Sequence, residues 1–190
     1  MQRCLVSILV CLGLCLLGPR ARASTVEAMD LPALTAAADD VFVAEALDTQ
    51  VHRDERNRIV TDVRLRITER IFGERVVGEE VALRCLGGSM DGIGMRVEGE
   101  AQMAVGETAL VFARRVDGGW LRAVGMSQGV LRMHAGPEGW MVEPGGAGLS
   151  LVRRGSAGRL VPGDAALLRV TPLSELRRAV LAAGAGRRRP

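Results

Sequence analysis

The chain has 190 residues, 48% of them hydrophobic and 25% charged, with 25 basic side chains against 22 acidic ones. The three surplus cations, Arg3, Arg20 and Arg22, all fall in the first 23 residues, so residues 24–190 carry 22 charges of each sign. A balanced domain has no overall cationic field, which argues against nucleic acid as a partner, and its single cysteine, Cys85, excludes an intramolecular disulfide.

Residues 1–23, MQRCLVSILVCLGLCLLGPRARA, have the make-up of a secretory signal peptide. Arg3 gives a positive start, Cys4 to Leu17 an uncharged apolar run, and Ala21-Arg22-Ala23 the small residues that a signal peptidase reads, with cleavage expected before Ser24. The run is short for a bilayer span and leads into Pro19 and Arg20, so no transmembrane segment is expected after cleavage. The expected location is periplasmic or extracellular. What remains is one domain's worth of chain, long enough to bury about 70% of its surface on folding.

The stretch "DLPALTAAADD" predicts a short helix, with Asp30 as N-cap and Pro32 in the first turn. "VFVAEAL" (41–47) is apolar on both sides, as in a strand covered on two faces. After the polar turn "RDERNR", Ile59, Val63, Leu65, Ile67 and Ile71 alternate with Asp62, Arg64, Arg66 and Arg70, a period-two strand. "VALRCL" (81–86) and "ETALVFARRV" (107–116) continue the pattern, and Asp117-Gly118 marks a hairpin before "WLRAVGM". "VLRMH" and "WMVEP" add short strands around the turn "AGPEG". A last helix is expected from a Thr171 cap, with Leu173, Leu176 and Val180 on one face.

Many short strands with helices only at the ends predict an all-β fold, a small OB-like β-barrel with a short N-terminal helix and a C-terminal helix. The expected organisation is a barrel domain over 24–143, an irregular or weakly paired extension over 144–170, the helix over 171–183 and a flexible tail over 184–190.

"CLGGSMDGIGMRVEGE" (85–100) looks most like chemistry. It is no phosphate loop, because the chain has no lysine and Val97 stands where a dinucleotide fingerprint needs its third glycine. Asp91, Glu98 and Glu100, with Glu107 beyond them, are hard oxygen ligands and stand as candidates for a calcium or magnesium site. The alternative is a structural connection whose glycines supply positive φ. Cys85 shares a strand face with Val81 and Leu83 and reads as a small buried hydrophobe rather than a nucleophile. His134 is expected to face solvent and His52 to sit at a strand end, so the two make no zinc constellation. Ser89 in "GGSMDG" lacks the G-x-S-x-G elbow, Ser127 in "GMSQG" is read as failing it too, and no Ser/His/acid set assembles. No cofactor is expected. Phe42 and Phe112 belong to the core, while Trp120 and Trp140 follow turns and are candidates for a protein-binding surface. Arg187 to Arg189 lie in the tail.

In order, "ADDVFVAEALD", "NRIVTDVRLRITERIFGE", "VEGEAQMAVGETALVFARR" and "VGMSQGVLRM" resemble a group of exported bacterial proteins over residues 35–135. Their barrels are similar in shape to tissue inhibitors of metalloproteases and netrin-like modules. The resemblance implies an exported, non-enzymatic binding module with a protein partner, an extracellular metalloprotease being the class it suggests. Those inhibitors chelate the protease zinc through an N-terminal cysteine. Ser24 is the expected first residue here, so no inhibitory residue carries over. The rival expectation is a metal-dependent or hydrolytic enzyme built on the 87–107 loop.

Overall fold

The computed structural model describes residues 24–137 and 139–186. The predicted leader, Glu138 and Arg187 to Arg189 lie outside the described residues. Two β-strands of 14 residues dominate, β2 (Asp40–Arg53) and β3 (Ile59–Phe72). They form an antiparallel pair, extended on one side by β4 (Glu80–Met90) and on the other by β6 (Thr108–Arg115). The short strand β7 (Leu121–Ala123) pairs antiparallel with β6 and parallel with β4, Leu121 beside Leu83. That parallel contact closes a five-stranded barrel, so the expected OB-like architecture is the observed one.

Beyond the barrel, β6 also pairs with β8 (Val130–Gly136), β8 with β9 (Gly139–Val142), and β9 with β12 (Thr171–Pro172). At the other end of this sheet, β4 pairs with β5 (Ile93–Arg96). Residues 144–170, expected to be irregular or weakly paired, carry β10 (Leu149–Arg154) and β11 (Leu160–Pro162). With the parallel strand β1 (Ser24–Glu27) these form a separate three-stranded sheet. No helix of the described residues is long and apolar enough to cross a membrane.

The two-sided apolar run of β2 has a direct cause. Phe42, Ala44 and Ala46 point into the barrel, where they meet Leu65, Leu83, Val111 and Leu121. Val41 and Val43 point outward into a second core beneath α1 (Leu31–Ala37) and α2 (Leu173–Ala185), with Leu34, Leu131, Val142, Leu176 and Val180. β6 does the same, Val111 inward and Phe112 outward. Both phenylalanines are fully buried, as expected.

The strict alternation read for β3 breaks near its end. The pairing skips Thr68, with Ile67 opposite Ala44 and Glu69 opposite Val43. This bulge turns the strand over, so Ile67 stays in the barrel while Ile71 joins the outer core. Asp30 caps α1 by accepting from the Ala33 amide at 2.8 Å. Thr171 caps nothing: it pairs with Val142 in β12, its hydroxyl donates to the Arg169 carbonyl at 3.0 Å, and α2 starts after Pro172.

Candidate functional site

The stretch 85–100 is a hairpin rather than a long connection. β4 runs through the glycine pair to Met90, turns at Asp91 (φ 52°) and Gly92 (φ 72°), and returns as β5 with Met90 opposite Ile93. Two successive residues at positive φ are what a two-residue hairpin turn requires, and Asp-Gly supplies them. Only glycine fits at Gly87 and Gly88: at φ 107° a Cβ on Gly87 would lie 2.7 Å from the Met95 carbonyl oxygen, and at φ 140° one on Gly88 would lie 2.7 Å from both Thr61 Oγ1 and Val51 Cγ1.

Behind the hairpin the barrel interior opens into a cleft of about 540 Å³, lined by Thr61, Cys85, Gly88, Met95, Ala101 and Met103. On the other side of segment 97–102 lies a smaller, more polar cleft of about 290 Å³, bordered by Glu98, Glu100, Ser127, Arg132 and Glu143. Cys85 is buried, and its thiol is pushed up to about 12, first by burial and then by the charges of Glu100 and Asp62. A thiol held so far from its thiolate has no nucleophilic character at neutral pH.

The carboxylates proposed as a hard-cation site do not converge. Asp91 sits exposed at the hairpin tip, Glu98 pairs with Arg96 at 2.8 Å, and Glu107 accepts from the Ala104 amide at 2.8 Å. Burial raises the Glu100 carboxyl above the ordinary range, against weaker pulls from the Ala101 backbone, Arg122 and the Leu86 backbone. Among the described residues no three of His, Cys, Asp and Glu are grouped as a metal site would need.

Gly125, Ser127 and Gly129 do stand at G-x-S-x-G spacing. Their context is a 3-10 turn (Met126–Gly129) between two strands, not the strand-to-helix elbow. The Ser127 hydroxyl donates to the Ala147 carbonyl at 3.1 Å, and His134 is exposed and directed to Glu143 at 3.2 Å.

A polar array that links three strands lies on the outer barrel face. Asp62 and Arg84 are direct neighbours across β3 and β4, and their side chains form a bidentate pair at 2.7 and 2.6 Å. The Arg84 guanidinium lies over the Trp120 ring, 4.6 Å from its centroid. His52 is diagonal to Asp62 across β2 and β3, and its Nε2 reaches Asp62 Oδ2 at 2.9 Å. Burial alone would raise Asp62, but Arg84 and His52 outweigh it and hold the carboxyl below the usual range.

The rest of this face is charged and mutually neutralised. Glu80 takes Arg64 at 3.2 Å and Arg66 at 3.1 Å, and Asp54 takes Arg58 at 2.6 Å. Trp120, half-buried, ends the β6–β7 turn directly before β7, whereas Trp140 is 47% exposed on β9. His52 is at a strand end, as expected, and Arg84 alternates with the inward Leu83 and Cys85. Their meeting at Asp62 depends on strand register, which local pattern does not show.

No family model matches this chain, and neither a curated protein nor a solved structure matches it.

Proposed function

We propose that this chain is an exported binding module without chemistry of its own, and that its partner is a protein docking on the barrel face around Trp120 and Arg84. One observation carries the reading. Arg84 is pinned by two hydrogen bonds to Asp62 and stacked on Trp120, so an aromatic ring and a guanidinium stand pre-ordered at the surface. Tryptophan and arginine dominate the energetics of protein interfaces, and pre-ordering lowers the entropy lost on docking. The same face and turns of a five-stranded OB-type barrel are where such barrels receive ligands.

Charge favours a protein over a nucleic acid here. Arg58, Arg64, Arg66 and Arg84 each face a carboxylate, which leaves little positive charge for phosphates. The resemblance noted above makes an extracellular metalloprotease the first partner class to test. Residues 24–27 pair with β10, which supports a contact through the barrel face rather than through that segment.

The test is retention of partners from the native secretome by the exported form, its Trp120→Ala variant and its Trp140→Ala variant. Loss with Trp120→Ala and retention with Trp140→Ala are expected. Equal retention by all three would refute the assigned surface.

A further inference from the structure

We propose that His52 is a proton-operated latch. Its imidazolium ties the Arg53 carbonyl to Asp62 at the end of β2, and loss of the proton releases that carbonyl and shifts Arg84 on Trp120. The latch rests on geometry alone; its link to partner binding rests on the function proposed above.

Both ring nitrogens face oxygen acceptors. Nδ1 is 3.1 Å from the Arg53 carbonyl oxygen and Nε2 is 2.9 Å from Asp62 Oδ2. Neither oxygen has a proton to give, the first being a carbonyl and the second a carboxylate already bound by Arg84. Only the doubly protonated ring donates to both. Each neutral tautomer sets a lone pair against an oxygen at hydrogen-bond distance, so the arrangement is complete only in the cation.

The neutral ring keeps one of its two bonds. The charge-assisted bond from Nε2–H to Asp62 is the stronger, so the proton leaves Nδ1 and the Arg53 carbonyl loses its donor. Arg84 Nη2 lies 3.4 Å from His52 Nε2, a cation beside a cation while the ring is charged. Once the ring is neutral that repulsion is gone, and Arg84, which serves both Asp62 and Trp120, shifts toward the ring.

The charges facing the ring are Asp62 from β3 and Arg84 from β4. Behind them, Asp54 and Glu55 act on Arg84 from the β2–β3 turn, where Asp54 is itself bound by Arg58. The Asp62 hydrogen bond, then the Arg53 carbonyl, raise the imidazole above its ordinary 6.5, against burial and Arg84. The latch is therefore closed in acid and opens as pH rises through the folded value.

The composition makes the test clean. The chain has two histidines and two tryptophans, so a Trp140→Phe background leaves Trp120 as the only indole reporter. Trp120 fluorescence, followed from pH 5.5 to 9, is expected to show one step with its midpoint above 6.5. The step should vanish in His52→Gln, persist in His134→Gln, and move toward the ordinary imidazole value in Asp62→Asn. Far-UV circular dichroism of each variant checks folding, and imidazole proton shifts in the unmutated chain report the same titration if a variant fails to fold. A step that survives His52→Gln, disappears in His134→Gln, or is absent from a folded wild type would overturn the latch. Partner retention at pH 6 and pH 8.5 is a separate arm. A fluorescence step with pH-independent retention keeps the latch and refutes docking at this face.

Discussion

Replacing Asp40 by Asn removes one charge from the most buried ionic cluster of the protein. Asp40 is fully buried. It accepts from Arg115 Nε at 2.9 Å, Arg115 Nη2 at 3.0 Å and the Glu74 amide at 2.9 Å, with Arg75 Nε at 3.6 Å. Burial by itself would raise the carboxyl. The Arg115 and Glu74 hydrogen bonds and the charges of Arg115 and Arg75 outweigh it, so the net shift is downward. Removing one partner of a buried ion pair costs about 3–5 kcal/mol. Two features reduce that here: the Arg115 side chain is 38% exposed, and it keeps Glu74 at 2.9 Å. Arg75 Nε, buried and without another hydrogen-bond partner, works the other way.

The expected loss for Asp40→Asn is therefore about 2–3 kcal/mol. At a urea m-value of about 2 kcal/mol/M, the midpoint falls by roughly 1–1.5 M with m unchanged. The sign with pH is fixed by the downward shift. The carboxylate's contribution is fully present above about 4 and fades as pH falls through the folded value, so the two proteins converge in acid. A midpoint within about 0.3 M of wild type at pH 7, with the same m, would show that the cluster does not hold the barrel as described.

Two further outcomes follow from the same structure. Cys85, buried with its thiol pushed up to about 12, should resist iodoacetamide at pH 8 in the native protein and react fully in denaturant; rapid native labelling, read by mass spectrometry, would contradict its place in the barrel. Gln128 accepts from the Met29 amide at 2.9 Å and donates to the carbonyls of Glu27 at 3.1 Å and Gly125 at 3.2 Å. Gln128→Leu should cost about 1–3 kcal/mol and speed amide exchange at Val26 and Met29 selectively; unchanged exchange there would refute its role in fastening β1.

The architecture was readable where local pattern and tertiary demand agree. The two-faced run at 41–47 announced a strand between two cores, and Asp117-Gly118 announced its hairpin. Asp91-Gly92 is the same dipeptide, yet its hairpin was hidden because Gly87 and Gly88 interrupt the β-forming residues before it. The side of Ile71 is not readable because the pairing skips Thr68 and then Ile71 itself, and such bulges leave no mark in composition. The outer-face array was unreadable for a related reason. Asp62 and Arg84 are 22 positions apart, and their meeting follows from the register of β3 on β4, which hydrophobic periodicity constrains only by parity.

Val41 and Phe42 are neighbours in the chain, yet each anchors a different core, and Val111 and Phe112 repeat the arrangement on β6. The wall of the barrel is thus also the floor on which both helices rest. Pulling α1 and α2 away would strip the outer face of strands whose inner face fills the barrel. Opening the barrel would dissolve the surface that holds the helices. Neither layer can serve as a stable intermediate for the other, so the described body should melt in a single cooperative transition. A substitution on either side of β2 is then felt by the whole molecule.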